Sequence, residues 1–368
     1  MNRLEFIVVM VKLFLGGMQF ITFTALSRTT SMNMEGKEVA FKRSFFVAFV
    51  LFVSVMGSFI PYIYVKVKDP KGVSSITPKV MMRVCLSGFC DFLAQTFVIM
   101  SNANIPVSLL MILKGSRALF SAGLSLTMLK KKLHAYQWVS IAICLTGLSL
   151  ASLGSYLSKT TSSSNLFMGV GLVLAAEAFR SVRIVYDEKM MKVYNYDPFM
   201  IIGLEGLVGT ICSGCALLSV NFISGSDMGS VENFENTIYM INHSDILLVL
   251  LILLPIWVNS MYISGCLVTK IISAVYNAIV TVATVVVCWA YELLIYYLVD
   301  KKYGDPWTPY SFIQLGGFIL IVASTLMYDA TWKLPRFFNY GSVSTIEFTK
   351  PREGDESTEN ESVVKQTM

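Results

Sequence analysis

Lys114 and Arg117 stand three residues apart in an apolar run, which places both cations on one helix face, and Ser121 and Ser125 continue that face. The same run holds no acid. Like charges side by side in an apolar setting repel, so a group of opposite sign must meet them. It is either a bound anion or a carboxylate from a neighbouring helix, such as Asp91 or Glu205. Glu177, Arg180, Arg183 and Asp187 have spacings of three and four that allow pairing within one helix, so they read as a self-neutralised structural helix or as part of a site. Ser87, Asp91 and Gln95 recur every four residues, and Asp91 there is a proton site or the partner of Lys114. The longest polar stripe runs through Ser273, Asn277, Thr281, Thr284, Cys288 and Glu292, bordered by Tyr276 and Tyr291. Small hydroxylated residues also serve helix packing in lipid. Lys12 and Gln19 add polar groups to the first apolar run, where Gly16-Gly17 permits close approach, although a lysine so placed can snorkel to the interface.

These groups do not assemble a catalytic set. The chain has two His, no Walker A glycine loop and no HExxH, so direct ATP use and zinc hydrolysis have no motif and an enzyme is not expected. Cys212 and Cys215 form a CxxC, but Ile, Ser and Gly surround it and no second pair follows; it reads as packing, and no cofactor or metal is expected. The net charge of +5 comes without a dense basic stripe, so nucleic acid is not an expected partner. Among deep positions Lys12, Lys114, Arg117, Arg180 and Arg183 are nearly balanced by Asp91, Glu177, Glu205 and Glu292. Carboxylates so deep could also carry protons if desolvation favours the neutral form.

Charged groups in apolar surroundings need a scaffold that tolerates them, and the composition names it. Of 368 residues 55% are hydrophobic and 14% charged, against about 25% charged in soluble domains, and mean hydropathy is +0.63. This is an all-α membrane protein by composition, and disordered, coiled-coil and ordinary cytosolic classes are excluded. Ten segments are long enough to span: 4–27, 44–66, 80–101, 106–129, 136–157, 166–187, 198–222, 245–268, 271–298 and 309–328. The first reads as a retained helix rather than a cleaved signal. Only Thr269-Lys270 separates the eighth from the ninth, which predicts a tight hairpin.

With the N-terminus cytosolic, the cytosolic loops hold more than twice as many Lys and Arg as the opposite side, so both termini are predicted cytosolic. The loop 223–244 lacks Lys and Arg and carries the sequon Asn242-His243-Ser244, as a luminal loop would. Ten passes with both ends on one side allow two halves of five, and an odd number of passes inverts the second half relative to the first. The expected units are 1–158, 159–330 and a disordered cytosolic tail, 331–368, rich in Ser, Thr, Glu and Asn. Leu145, Gly147 and Leu150 recur as Leu315, Gly317 and Leu320 at the same spacing in the fifth and tenth spans.

The stretch Ile184-Val185-Tyr186-Asp187-Glu188-Lys189, then Tyr196-Asp197-Pro198, then Gly203-Leu204-Glu205-Gly206 resembles the drug/metabolite transporter superfamily, and within it the F subgroup of solute carrier family 35. Met111-Ile112-Leu113-Lys114-Gly115 fits the same pattern, with Lys114 where the family pattern has Arg; lysine keeps the charge and loses bidentate recognition. The resemblance implies ten helices in two inverted five-helix repeats around a central cavity. Its relatives include nucleotide-sugar and triose-phosphate exchangers and the malarial chloroquine-resistance transporter, whose cargo ranges from anions to cationic drugs. Tyr276-Asn277 is a partial echo of a nucleotide-sugar carrier motif.

The expected function is therefore a secondary transporter moving a small organic solute by alternating access, with proton or exchange coupling. The alternatives are a scaffold that keeps the fold and carries nothing, and a passive channel. Expected solute contacts are Lys114, Arg117, Gln95, Asn259, Tyr276 and Asn277, with Asp91 and Glu205 for coupling or charge balance. An endomembrane (Golgi, endosome/lysosome or vacuole) is expected over the plasma membrane, and Tyr340-Gly341-Ser342-Val343 fits a tyrosine-type sorting signal.

Overall fold

The hydrocarbon core offers no water to backbone N–H and C=O groups, so a spanning chain must satisfy them within helices. The computed structural model describes residues 3–69, 75–102, 113–130, 133–158, 166–225, 227–298, 301, 306–328 and 330–332. In chain order the helices are α1 (Arg3–Arg28), α2 (Ser44–Met56), α3 (Phe59–Lys68), α4 (Pro78–Asn102), α5 (Ser116–Met128), α6 (Ala135–Ser158), α7 (Leu166–Lys192), α8 (Pro198–Phe222), α9 (Phe234–Asn242), α10 (Asp245–Ile271), α11 (Ala274–Leu298) and α12 (Ser311–Tyr328). The protein is an all-α membrane protein. Among the described residues eight stretches are long and apolar enough to cross a bilayer: α1, α2 with α3, α4, α6, α8, α10, α11 and α12.

Two of the ten expected spans fall outside that set for different reasons. The fourth is described only from residue 113, so its first part, 106–112, lies outside the described residues. The sixth is α7, which has 27 residues but carries Glu177, Arg180 and Arg183 in its apolar part. The expected tail from residue 333, with Tyr340-Gly341-Ser342-Val343, also lies outside. The second span is not one rod. Gly57 and Ser58 interrupt it between α2 and α3. The hairpin between the eighth and ninth spans turns at Ile272-Ser273 rather than Thr269-Lys270, because Lys270 lies in the last turn of α10.

The helices pack as α6 with α12, α4 with α7, α2 with α8, α1 with α10 and α11, α4 with α8, α5 with α7, α10 with α2, and α11 with α5. Gly147 and Gly317 mark the crossing of α6 and α12. A Cβ on Gly147 would sit 2.7 Å from the Gly317 carbonyl, and one on Gly317 would strike the Gly147 carbonyl and Ala151 N. Two apolar cores result. One gathers Ile141, Leu148, Ile279 and Ile321; the other gathers Val55, Met200, Ile201 and Leu254.

Hydropathy gave no sign of the structure between spans. Residues 30–40 form the hairpin β1 (Thr30–Met32) and β2 (Glu38–Ala40), and the loop after α8 holds the hairpin β3 (Ser224–Gly225) and β4 (Gly229–Ser230) followed by α9. The two segments bind each other. Arg43 pairs with Asp227, Met34 N donates to Asn236 Oδ1 at 3.0 Å, and Ser31 Oγ donates to the Met240 carbonyl at 2.7 Å. Glu232 accepts from Phe45 N at 3.0 Å and Phe46 N at 2.7 Å, capping α2 from a distant loop. Burial pushes the Glu232 carboxyl above its usual range, opposed by those two N–H groups and by Arg43.

Candidate functional site

The polar side chains of the spans meet in three groups, and close helix packing brings them together. Gly88 of α4 faces the Glu205 backbone of α8; a Cβ there would sit 3.1 Å from Glu205 Cα. That approach carries the Glu205 carboxylate to α4 and α7. The start of α8 is fixed by Asp197, which accepts from Phe199 N at 2.9 Å and Met200 N at 3.2 Å, with Pro198 in the first turn.

The first group centres on Arg183. Its guanidinium meets Glu205 through three contacts, Nε to Oε1 at 3.1 Å, Nε to Oε2 at 3.2 Å and Nη2 to Oε2 at 2.7 Å. Asp187 lies 3.5 Å from Arg183 Nε and Asp91 lies 3.7 Å from Nη1. Tyr262 donates to Asp91 Oδ2 at 2.8 Å and lays its ring 4.7 Å from the guanidinium carbon. Ser87 Oγ lies 2.6 Å from Asp187 Oδ1 and 2.5 Å from Glu205 Oε1. Asp91, Asp187 and Glu205 are 2%, 4% and 1% exposed, so three carboxyls share one guanidinium almost out of contact with solvent.

The second group joins α4, α5 and α7. Arg117 Nε donates to Glu177 Oε2 at 2.6 Å, and Arg180 Nη2 donates to Gln95 Oε1 at 2.7 Å. Arg180 approaches Glu177 only to 3.8 Å. The carboxylate that meets Arg117 is therefore Glu177, and neither Asp91 nor Glu205. Within α7 Arg180 pairs with Glu177 at 3.8 Å and Arg183 with Asp187 at 3.5 Å, as the spacing allows, while shorter contacts run to Arg117, Gln95 and Glu205 on other helices. Lys114 feels the charges of Arg180, Glu177 and Arg117 and forms no hydrogen bond or ion pair among the described residues. The hydroxyls of Ser121 and Ser125, on the Lys114 face, and of Ser116, on the opposite side of α5, are buried without a hydrogen-bond partner among the described residues, as is Glu177 Oε1.

Lys12 anchors the third group. It is 2% exposed and donates to the Asn277 carbonyl at 3.0 Å, to Asn277 Oδ1 and to Thr281 Oγ1 at 2.8 Å. Asn277 Nδ2 donates onward to Thr269 at 2.8 Å. Snorkelling is thus not its role here: the polar stripe of α11 is where this lysine ends. Gly16 and Gly17 allow the approach, since a Cβ on Gly16 would sit 2.8 Å from Thr284.

The expected contact residues are divided among these groups. Lys114, Arg117 and Gln95 come together around Glu177 and Arg180. Asp91 and Glu205 come together on Arg183. Asn277 is held by Lys12. Asn259 accepts from Ser58 Oγ at 2.7 Å, tying α10 to the break between α2 and α3. Tyr276 is buried and stacks on Tyr328, with ring centroids 5.9 Å apart. Asp187 was not counted among the deep charges, yet it is buried at 4% exposure. Its burial makes five acids against five cations.

The family model for Solute carrier family 35, F subgroup, matches residues 7–300. Solute carrier family 35 member F6 of Rattus norvegicus is 23% identical over 338 residues, covering 86% of this chain and 88% of its own. The Mus musculus protein of that name is 23% identical over 355 residues, covering 88% and 93%, and the Homo sapiens one is 23% identical over 338, covering 86% and 88%. One protein of known crystal structure superposes with a TM-score of 0.60 over 90% of this chain and 98% of its own; at 11% identity this shows likeness of fold. The chain belongs to solute carrier family 35, in its F subgroup.

Proposed function

We propose that this protein is a secondary transporter that moves a small organic solute across an endomembrane by alternating access, with ten crossings in two inverted halves and both termini cytosolic. The observation that carries the reading is the second polar group. A lysine without hydrogen bond or ion pair among the described residues lies on the helix face of Ser121 and Ser125, whose buried hydroxyls, like Glu177 Oε1, have no hydrogen-bond partner among those residues. Each buried polar atom left without a hydrogen bond costs about 1–3 kcal/mol, so a site that keeps three of them is suited to a polar guest. A scaffold that carries nothing has no use for that cost, because its polar groups could all pair internally. Lys114, Arg117 and Gln95 are the first solute contacts. Asn259, Tyr276 and Asn277 are the further solute contacts, and Asp91 and Glu205 serve coupling or charge balance.

The packing pattern supports the inverted halves. Exchange each span with the one five places on: α1 with α7, α2–α3 with α8, α4 with α10, α5 with α11, α6 with α12. The contacts α6–α12, α2–α8 and α5–α11 then map onto themselves. The contact α4–α7 maps onto α10–α1, α4–α8 onto α10–α2, and α5–α7 onto α11–α1. Gly147 and Gly317, matched by this exchange, touch each other at the crossing of α6 and α12. The test is uptake into proteoliposomes from a panel of organic anions, nucleotide sugars, amino acids and amphiphilic cations, with and without a pH gradient. The reading expects saturable uptake of at least one class; uptake of none overturns it.

A further inference from the structure

Ser87 Oγ has a carboxyl oxygen on either side, Asp187 Oδ1 at 2.6 Å and Glu205 Oε1 at 2.5 Å. A hydroxyl has one proton to donate. It satisfies one of these contacts; the other, if both carboxyls are ionised, sets lone pair against lone pair at hydrogen-bond length. One carboxyl must therefore return a proton. The surroundings say which. Glu205 takes three guanidinium contacts from Arg183, the arrangement suited to a charged acceptor, whereas Asp187 meets that guanidinium only at 3.5 Å. Charge counting requires the same thing independently. Asp91, Asp187 and Glu205 around Arg183 carry a formal −2, and all three are at least nine-tenths buried in a membrane protein, where an ionised group without compensation is expensive.

We infer that Asp187 holds a proton in this state, and that Asp187, Ser87 and Glu205 form a relay that couples proton movement to solute movement. In the relay the Asp187 O–H bond breaks as its proton passes to Ser87 Oγ, while the proton of Ser87 passes to Glu205 Oε1. No electrons are exchanged and the hydroxyl is regenerated. Glu205 is then neutral, Asp187 is ionised, and Arg183 exchanges a partner on α8 for one on its own helix, α7. The tie between α7 and α8 is released by one proton shift. Among the described residues the other charged or titratable groups facing the relay are Asp91 and Cys90 from α4, Arg183 and Tyr186 from α7, and Tyr262 and Cys266 from α10. Arg83 of α4 lies one turn further on, against Tyr196 at 2.8 Å and the Tyr194 ring.

The coupling role rests on the transport reading; the bound proton does not, and it is measured without any solute. Infrared difference spectra of the full chain in lipid bilayers, stepped upward from neutral pH, expect the carbonyl band of a protonated carboxylic acid. In the unmodified sequence that band shifts on labelling aspartate side chains with carbon-13 and stays put on labelling glutamate. Asp187→Asn removes it, and Asp91→Asn retains it. Absence of the band at neutral pH, a shift with labelled glutamate alone, or survival of the band in Asp187→Asn overturns the inference. Should Asp187→Asn fail to fold, labelling of the unmodified chain together with Asp91→Asn decides: loss of the band in Asp91→Asn places the proton on the wrong aspartate.

Discussion

Replacing Glu205 by Ala isolates the tie between α7 and α8. The substitution removes three guanidinium contacts between 2.7 and 3.2 Å and the acceptor of the Ser87 hydroxyl. Breaking a buried ion pair from one side costs about 3–5 kcal/mol, because the remaining charge is stranded. Arg183 is not wholly stranded here: Asp187 at 3.5 Å and Asp91 at 3.7 Å still face it, which sets the loss at the lower end, about 3 kcal/mol. At about 2 °C per kcal/mol, the low end for larger domains, the melting temperature of the detergent-solubilised chain falls by about 6 °C. Glu205→Gln keeps one acceptor for Arg183 and falls less. Glu35→Ala serves as the control, since its pair with Lys37 is exposed and its loss leaves melting unchanged. A Glu205→Ala protein that melts with the wild type would refute the claim that this pair holds the two helices together.

Three further outcomes follow from other parts of the molecule. Lys114→Ala abolishes solute flux in proteoliposomes while leaving the melting temperature within about 1 °C, because the side chain breaks no ion pair when removed and its loss falls in the range of a neutral substitution; undiminished flux removes Lys114 from the site. Gly147→Leu forces a side chain against the Gly317 carbonyl, 2.7 Å from the position of its Cβ, and lowers stability by about 1–3 kcal/mol as overpacking does; an unchanged melting curve contradicts the crossing. Glu232 holds its proton more tightly folded than unfolded, so its contribution to stability grows as pH falls from neutral toward its ordinary value of 4.5. Glu232→Gln flattens that part of the melting-against-pH curve, and a curve identical to wild type rejects the assignment.

How far the sequence reached depended on whether a feature was periodic or long-range. Hydropathy located eight of the ten expected spans among the described residues, because burial in lipid demands about 20 apolar residues in a row, and Asp197-Pro198 starts α8 where a capping residue and a first-turn proline should. Spacing also showed which polar residues share a helix face. It did not choose partners across helices. Glu177 and Arg180 have the spacing for a pair, yet Glu177 Oε2 meets Arg117 at 2.6 Å because α5 packs on α7. Asp187 was explained locally, while its contact to Ser87 on α4 depends on an approach made over Gly88. Lys12 gave no hint that it would end on Asn277, 265 positions away. The paired segments at 30–40 and 223–244 were invisible to hydropathy, since their order comes from Arg43, Asp227, Asn236 and Glu232 meeting across the chain.

Counterflow tests the central claim most directly. Proteoliposomes are loaded with a saturating concentration of a solute that the uptake panel identifies, and entry of the labelled solute is timed from outside. A carrier whose halves alternate around one site returns faster when loaded, so trapped solute accelerates entry. Entry that is unchanged or slowed by the trapped solute would contradict an alternating site in this protein.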